Sequence, residues 1–129
     1  MKKITRDKNI VGLHIIGDLQ NCDRKFLFEL RAPDLKSKVI ILIKKHGFTE
    51  LGSYYHQFDI GVTGIISLSE SHISIHTWPK EGYVSLDVFI CNYTRDNSKE
   101  TKLLFNDLVM FFHPGKSIRK TVVRHFESK

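Results

Sequence analysis

The residues able to do chemistry crowd into one stretch of this 129-residue chain, Ser69-Glu70-Ser71-His72-Ile73-Ser74-Ile75-His76-Thr77-Trp78-Pro79. It holds hydroxyls, a carboxylate, two imidazoles and the only tryptophan. Read as a strand, it sends Ser71, Ile73, Ile75 and Thr77 to one face and His72, Ser74, His76 and Trp78 to the other. Ser71 follows Glu70 directly, so its hydroxyl is placed to attack the Glu70 carbonyl, with proximity standing in for a second reactant. Such an N-to-O acyl shift gives an ester. β-Elimination from it leaves a dehydroalanine, which hydrolyses to a pyruvoyl group and a cut chain.

Other chemistries fit less well. On a helix, His72 and His76 would suggest a zinc pair. On a strand their Cα atoms stand about 13 Å apart, too far to share one ion, and no metal is expected. A hydrolase triad of Ser71, His76 and Asp87 lacks the Gly-x-Ser-x-Gly elbow. Taken singly, Cys91 reads as a buried filler and Phe58 as a core aromatic, with Trp78 as structural support. His14 and Cys22 read as structural. Asp87 needs either solvent or a partner such as a lysine.

The surrounding elements must place that stretch. Residues 9–19 are β-branched and apolar and read as a buried strand. Pro33-Asp34 opens a helix to about residue 46, carrying Leu35, Val39, Leu42 and Ile43 at helical spacing, and Gly47 stops it. Strands follow over 49–58, 61–69, 72–78 and 83–91, with short links that make neighbours antiparallel. Asp96 or Asn97 caps a second helix over about 98–112, with Leu103, Leu104, Leu108 and Phe111 along one face. Residues 118–126 form a last strand. The order β-α-β-β-β-β-α-β predicts a single α+β domain over residues 1–129, a two-layer sandwich with two helices on one face of a mainly antiparallel sheet.

Hydrophobic residues at 41% and charged residues at 26% suit a globular domain with its own core. No apolar run reaches the roughly 20 residues of a membrane span, and the first residues lack a signal peptide's apolar core, so a cytoplasmic protein with no membrane partner and free Cys22 and Cys91 is expected. The net charge of +6 gathers in Lys2, Lys3, Arg6 and Lys8 and in Lys116, Arg119, Lys120, Arg124 and Lys129. These are not interleaved with aromatics as a single-strand binder requires, so a solvated surface rather than a nucleic-acid partner is expected.

The central run resembles the self-cleavage segment of the prokaryotic S-adenosylmethionine decarboxylases, pyruvoyl-dependent lyases of polyamine biosynthesis. The resemblance extends through Gly82-Tyr83, Asp87-Val88-Phe89 and Cys91, back to His56-Gln57-Phe58 and Gly61-Val62-Thr63-Gly64, and weakly to Gly12-Leu13-His14 and Asp18. It implies a zymogen that cuts itself between Glu70 and Ser71 into 1–70 (β chain) and 71–129 (α chain). Ser71 would become the covalent pyruvoyl cofactor, forming a Schiff base with the amine of the substrate. The resemblance further implies that Cys91 is the proton donor, that His76 assists processing with the hydroxyl of Thr63, and that Phe58 stacks on the adenine of the substrate. The link from Phe58 to Gly61 is one residue shorter than the family's usual spacing.

A larger departure is Lys80, where the family carries a glutamate that binds ribose; Glu81 is one residue further on. The expected activity is conversion of S-adenosylmethionine to its decarboxylated form and carbon dioxide, for spermidine biosynthesis. Lys80 leaves L-ornithine or L-arginine as alternative substrates, and a non-cleaving regulatory homologue as a third reading. The resemblance also implies a homodimer of cleaved protomers.

Overall fold

A computed structural model describes residues 9–92 and 94–127, so the basic residues Lys2, Lys3, Arg6, Lys8 and Lys129 lie outside it. Six strands, β1 (Ile10–Gln20), β2 (Glu50–Gln57), β3 (Val62–Leu68), β4 (Ser71–Trp78), β5 (Tyr83–Cys91) and β6 (Lys116–His125), form one sheet in the order β2-β3-β4-β5-β1-β6. Every pairing is antiparallel. The α+β sandwich expected from the sequence is the observed architecture.

Among the described residues there are three α-helices where two were expected. The additional one, α1 (Arg24–Glu29), is short; Asp23 caps it by accepting from the Phe26 amide at 3.1 Å, and Leu27 is its buried residue. Six residues are too few to display a helical period. The second helix, α2 (Ala32–Lys45), starts two residues before its expected position. Asp34 closes its first turn by accepting from the Arg31 amide at 3.0 Å, and Gly47 ends it at φ 79°. The third, α3 (Ser98–Phe112), has Asn97 at its N-cap position, but the Asn97 amide group turns away to donate to the Cys91 carbonyl at 2.9 Å. Asp96 accepts from the Ser98 amide instead, at 2.9 Å.

Leu35, Val39, Leu42 and Ile43 of α2 and Leu104, Phe105, Leu108 and Phe112 of α3 are buried against one sheet face, made by Ile15, Leu19, Ile66, Ile73, Ile75, Leu86, Val88 and Ile90. Phe105 sits directly over Gly17, where an added Cβ would lie 2.6 Å from its ring. Outside this core the helices are joined by charge: Asp107 of α3 accepts from Lys45 Nζ at 2.8 Å and from His46 Nε2 at 2.7 Å.

Truncating Phe105 to alanine is expected to cost about 3–5 kcal/mol by urea denaturation, because the hole over Gly17 cannot collapse onto the sheet; a loss below about 1 kcal/mol would contradict this packing. A second expectation concerns acid. The hydrogen bond from Lys45, then that from His46, hold the Asp107 carboxyl below its ordinary value of 3.8. Its contribution to stability is therefore present above that value and is lost as pH falls through the lowered one. Asp107→Asn should flatten the acid limb of a stability-against-pH curve below about pH 4.

Candidate active site

The tip of the β3–β4 hairpin is a two-residue turn. Leu68 pairs with Ser71, leaving Ser69 and Glu70 to reverse the chain. Glu70 takes φ 53°, a left-handed conformation that costs a residue with a side chain about 1 kcal/mol or more. The Ser71 hydroxyl donates to the Ser69 carbonyl at 2.9 Å and accepts from the Cys91 amide at 2.8 Å. The β4–β5 register pairs His72 with Phe89 and so brings the end of β5 alongside the start of β4. Cys91, twenty residues downstream, thus reaches Ser71 and Glu70, and its Sγ lies 3.5 Å from Glu70 Oε2. Burial first, then the hydrogen bond and charge of Glu70, push the Cys91 thiol above its ordinary range.

The sheet face away from the helices carries the polar side chains in three cross-strand rows. One runs Tyr54, Ile65, Ser74, Asp87, Ile16, Lys120; the next His56, Thr63, His76, Ser85, Asp18, Ile118; and on the other side Ser67, His72, Phe89, His14, Val122. Thr63 and His76 are hydrogen-bonded, Oγ1 to Nδ1, at 2.9 Å. The structure does not bring His76 to Ser71 within one chain. Five residues along a strand is roughly 16 Å, and the two side chains leave β4 on opposite faces.

Beside Thr63 and His76 lies a cavity of about 290 Å³ lined by Phe58, Ile60, Thr63, His76, Thr77 and Trp78. Phe58 is half exposed, and its ring meets that of His56 at 4.4 Å. Gln57 fixes this corner: it accepts from the Ala32 amide of α2 at 2.7 Å and donates to the carbonyls of Phe58 at 2.8 Å and Gly61 at 3.0 Å. Gln57 belongs to the run His56-Gln57-Phe58 but has no role assigned from the sequence, since its partners are 25 residues away and in its own turn. Trp78, read as structural support, is instead 43% exposed on the cavity wall. Its ring stacks on Tyr83, whose hydroxyl donates to Asp18. Lys80 and Glu81 are exposed on the 3-10 turn Pro79–Glu81 and do not line the cavity.

His14, also read as structural, belongs to the polar face, and it rather than a lysine is the partner of Asp87. His14, His72 and Asp87 offer ligand atoms within 4.8 Å of one another, the one such trio among the described residues. Arg124 lies 3.1 Å from His14 Nδ1. A guanidinium can only donate, so Nδ1 accepts and Nε2 carries the hydrogen that points to Asp87. That arrangement occupies the nitrogen a metal would need.

The open antiparallel sheet, backed by helices on one face, defines an α+β domain with a serine at a strained hairpin tip beside a thiol. Residues 13–125 match the family model described as S-adenosylmethionine decarboxylase, and the chain belongs to that family. It is 42% identical over 95 residues to the S-adenosylmethionine decarboxylase proenzyme of Archaeoglobus fulgidus, covering 73% of this chain and 83% of that protein. It is 36% identical over 124 residues to the proenzyme of Prochlorococcus marinus, covering 90% and 98%. The crystal structure of the adenosylmethionine decarboxylase from Aquifex aeolicus superposes with a TM-score of 0.81 at 27% identity, covering 94% of this chain and 96% of that one.

Burial, then the hydrogen bond to Asp18, push the Tyr83 phenol up to about 12. Tyrosinate formed 5.1 Å from Trp78 should quench its emission. Asp18→Asn is therefore expected to move the alkaline loss of tryptophan fluorescence to lower pH; an unchanged onset would show that Asp18 does not hold the phenol.

Proposed function

We propose that the chain is the proenzyme of a pyruvoyl-dependent S-adenosylmethionine decarboxylase, cut between Glu70 and Ser71 into residues 1–70 and 71–129, whose product feeds spermidine synthesis in the cytoplasm. The observation that carries this reading is the Ser71 hydroxyl, held between the Ser69 carbonyl and the Cys91 amide at a turn where Glu70 is left-handed. Ser71 Oγ attacks the Glu70 carbonyl carbon, and the amide nitrogen leaves as the ester forms. Loss of the Ser71 α-hydrogen and of the Glu70 carboxylate gives dehydroalanine. Water then displaces its nitrogen as ammonia, leaving a pyruvoyl group at the new amino end.

That group supplies an electron sink for the pair released when carbon dioxide leaves an α-amino acid. The chain's own part is to bind, orient and return a proton. Cys91 reaches the reacting residue with its thiol protonated, suited to deliver that proton to the substrate Cα. The cavity suits a purine: Phe58 and Trp78 offer flat surfaces, and Thr63 and His76 offer polar edges. Its lining contains no carboxylate for the cationic tail of ornithine or arginine, and Lys80, which raised those substrates, projects into solvent.

The distance from Ser71 to His76 points to a homodimer. The polar face exposes Ile16, Tyr54, Ile65, Trp78 and Ile118, an apolar content suited to packing on a second sheet about 10 Å away. A two-fold dimer that lays the Ser69-Glu70 turn of one copy over the polar face of the other would supply Thr63 and His76 to that turn, and symmetry makes two such sites.

Denaturing intact mass after incubation with S-adenosylmethionine and a borohydride reductant tests the whole scheme. Two fragments meeting at residues 70 and 71 are expected, with the substrate adduct on the second; a single full-length mass would overturn it. Ser71→Ala should stay intact. Cys91→Ala should cleave but turn over about 10²–10⁴-fold more slowly. His76→Ala should stay uncut alone and cleave when co-folded with Ser71→Ala chains, whereas failure of that rescue would place His76 in the same chain as its Ser71.

A further inference from the structure

The residue on the acyl side of the scissile bond does more than end a chain. Glu70 is exposed while Cys91 is 9% exposed, and Cys91 Sγ lies 3.5 Å from Glu70 Oε2, which joins the buried thiol to a titratable side chain at the surface. The same turn is tied to Cys91 a second time through the Ser71 hydroxyl. The carboxylate and the thiol are thus held in register by the hairpin, not by chance rotamers of two surface side chains.

We propose that Glu70 is the positioning residue for the proton of Cys91: it accepts the thiol hydrogen bond, keeps the sulfur protonated at rest, and returns a solvent proton to it after each turnover. This rests on the decarboxylase reading for its catalytic meaning. The balance is simple. Loss of carbon dioxide leaves an electron pair on the substrate Cα, the Cys91 hydrogen fills it, and the thiolate regains a solvent proton that the Glu70 carboxylate accepts and hands on, ending as the carboxylate it began as. One solvent proton is consumed per carbon dioxide released. After the cut Glu70 becomes the last residue of the first fragment, so its hold on Cys91 depends on β3 staying paired with β4.

The other groups around Cys91 cannot take this role. Across Gly12 the same cross-strand row ends in Arg124 of β6, a cation whose Nη1 is directed at His14. His14, His72 and Asp87 lie further back on the face, with Phe89 against both histidine rings. Asn92 and Asn97 are neutral and are engaged with each other, with Asn97 also holding the Cys91 carbonyl. On the connection to α3, Arg95 donates to Asn97, and Asp96 accepts from the Ser98 amide.

The test uses the full chain in a Ser71→Ala background, which needs neither cleavage nor decarboxylation. Alkylation of Cys91 by iodoacetamide is followed against pH by peptide mass, with Cys22 as the internal control of folding. Glu70→Gln is expected to move the Cys91 midpoint to lower pH and raise its rate severalfold near neutrality; burial keeps the midpoint above that of an ordinary thiol. An unchanged Cys91 profile with an unchanged Cys22 profile would overturn the proposal. In cleaved enzyme, Glu70→Gln should shift the alkaline limb of kcat to lower pH with KM unaltered, and Glu70→Asp should restore part of it. A shifted thiol with an unshifted kcat limb would overturn the catalytic role while leaving the contact, and an uncut or inactive parent would fail the decarboxylase reading alone.

Discussion

The register between β3 and β4 is the constraint from which the site follows. With Leu68 opposite Ser71, only two residues remain to turn the chain, and the second of them must go left-handed. Glycine would relieve that conformation, but glycine has no carboxylate to set against Cys91. Both strands are internal to the sheet, so the ladder on either side holds the turn against relaxation. A slip of one residue would also exchange Ile73 and Ile75, both fully buried, for His72, Ser74 and His76 in the core. The apolar face therefore fixes the position of the turn that carries Glu70 and Ser71.

The two sheet faces divide the work. One is dry and packed against α2 and α3. The other carries imidazoles, carboxylates and hydroxyls that would be costly to bury unpaired, and the structure pairs many of them: Thr63 with His76, Tyr83 with Asp18, His14 with both Asp87 and Arg124. The His14 contacts are directional. Because Arg124 can only donate, the tautomer is set from the edge strand inward, and the hydrogen lies on the nitrogen facing Asp87. This ordered polar face also leaves isoleucines and aromatics exposed between its polar groups.

Much of this was legible in the sequence. The alternation of residues 71–78 gave both faces of β4 correctly, and the apolar runs with their Gly and Pro stops located all six strands. Local rules failed where partners are remote. His14 read as structural because Asp87 is 73 positions away and Arg124 is 110, and no periodicity reports such a pairing. The role of Gln57 escaped notice because it is to join the first turn of α2 to the link before Gly61. Trp78 ends its strand, and whether a terminal aromatic packs inward or lines a cavity depends on what the next turn leaves uncovered. The helix α1, capped by Asp23, went unread because six residues are too few to show a helical repeat.

Strand order also bears on what a cut at Glu70 would do to the molecule. Residues before the cut supply β1, β2 and β3 with α1 and α2; residues after it supply β4, β5 and β6 with α3. In space the two sets interleave. β3 pairs with β4 across the cut, and β1 lies between β5 and β6, bonded to both along nearly its whole length. Gly12 lets β1 sit so close to β5 that an added Cβ would fall 2.0 Å from the Ile90 carbonyl oxygen. Breaking one peptide bond at a surface turn removes none of these ladders and none of the core, while it frees the strained residue from its left-handed geometry. Separating the fragments would mean extracting β1 from the middle of the sheet, at the cost of its hydrogen bonds and of the buried Ile15 and Leu19. The topology would thus allow a cut between Glu70 and Ser71 while the sheet that positions Ser71 and Cys91 stays assembled.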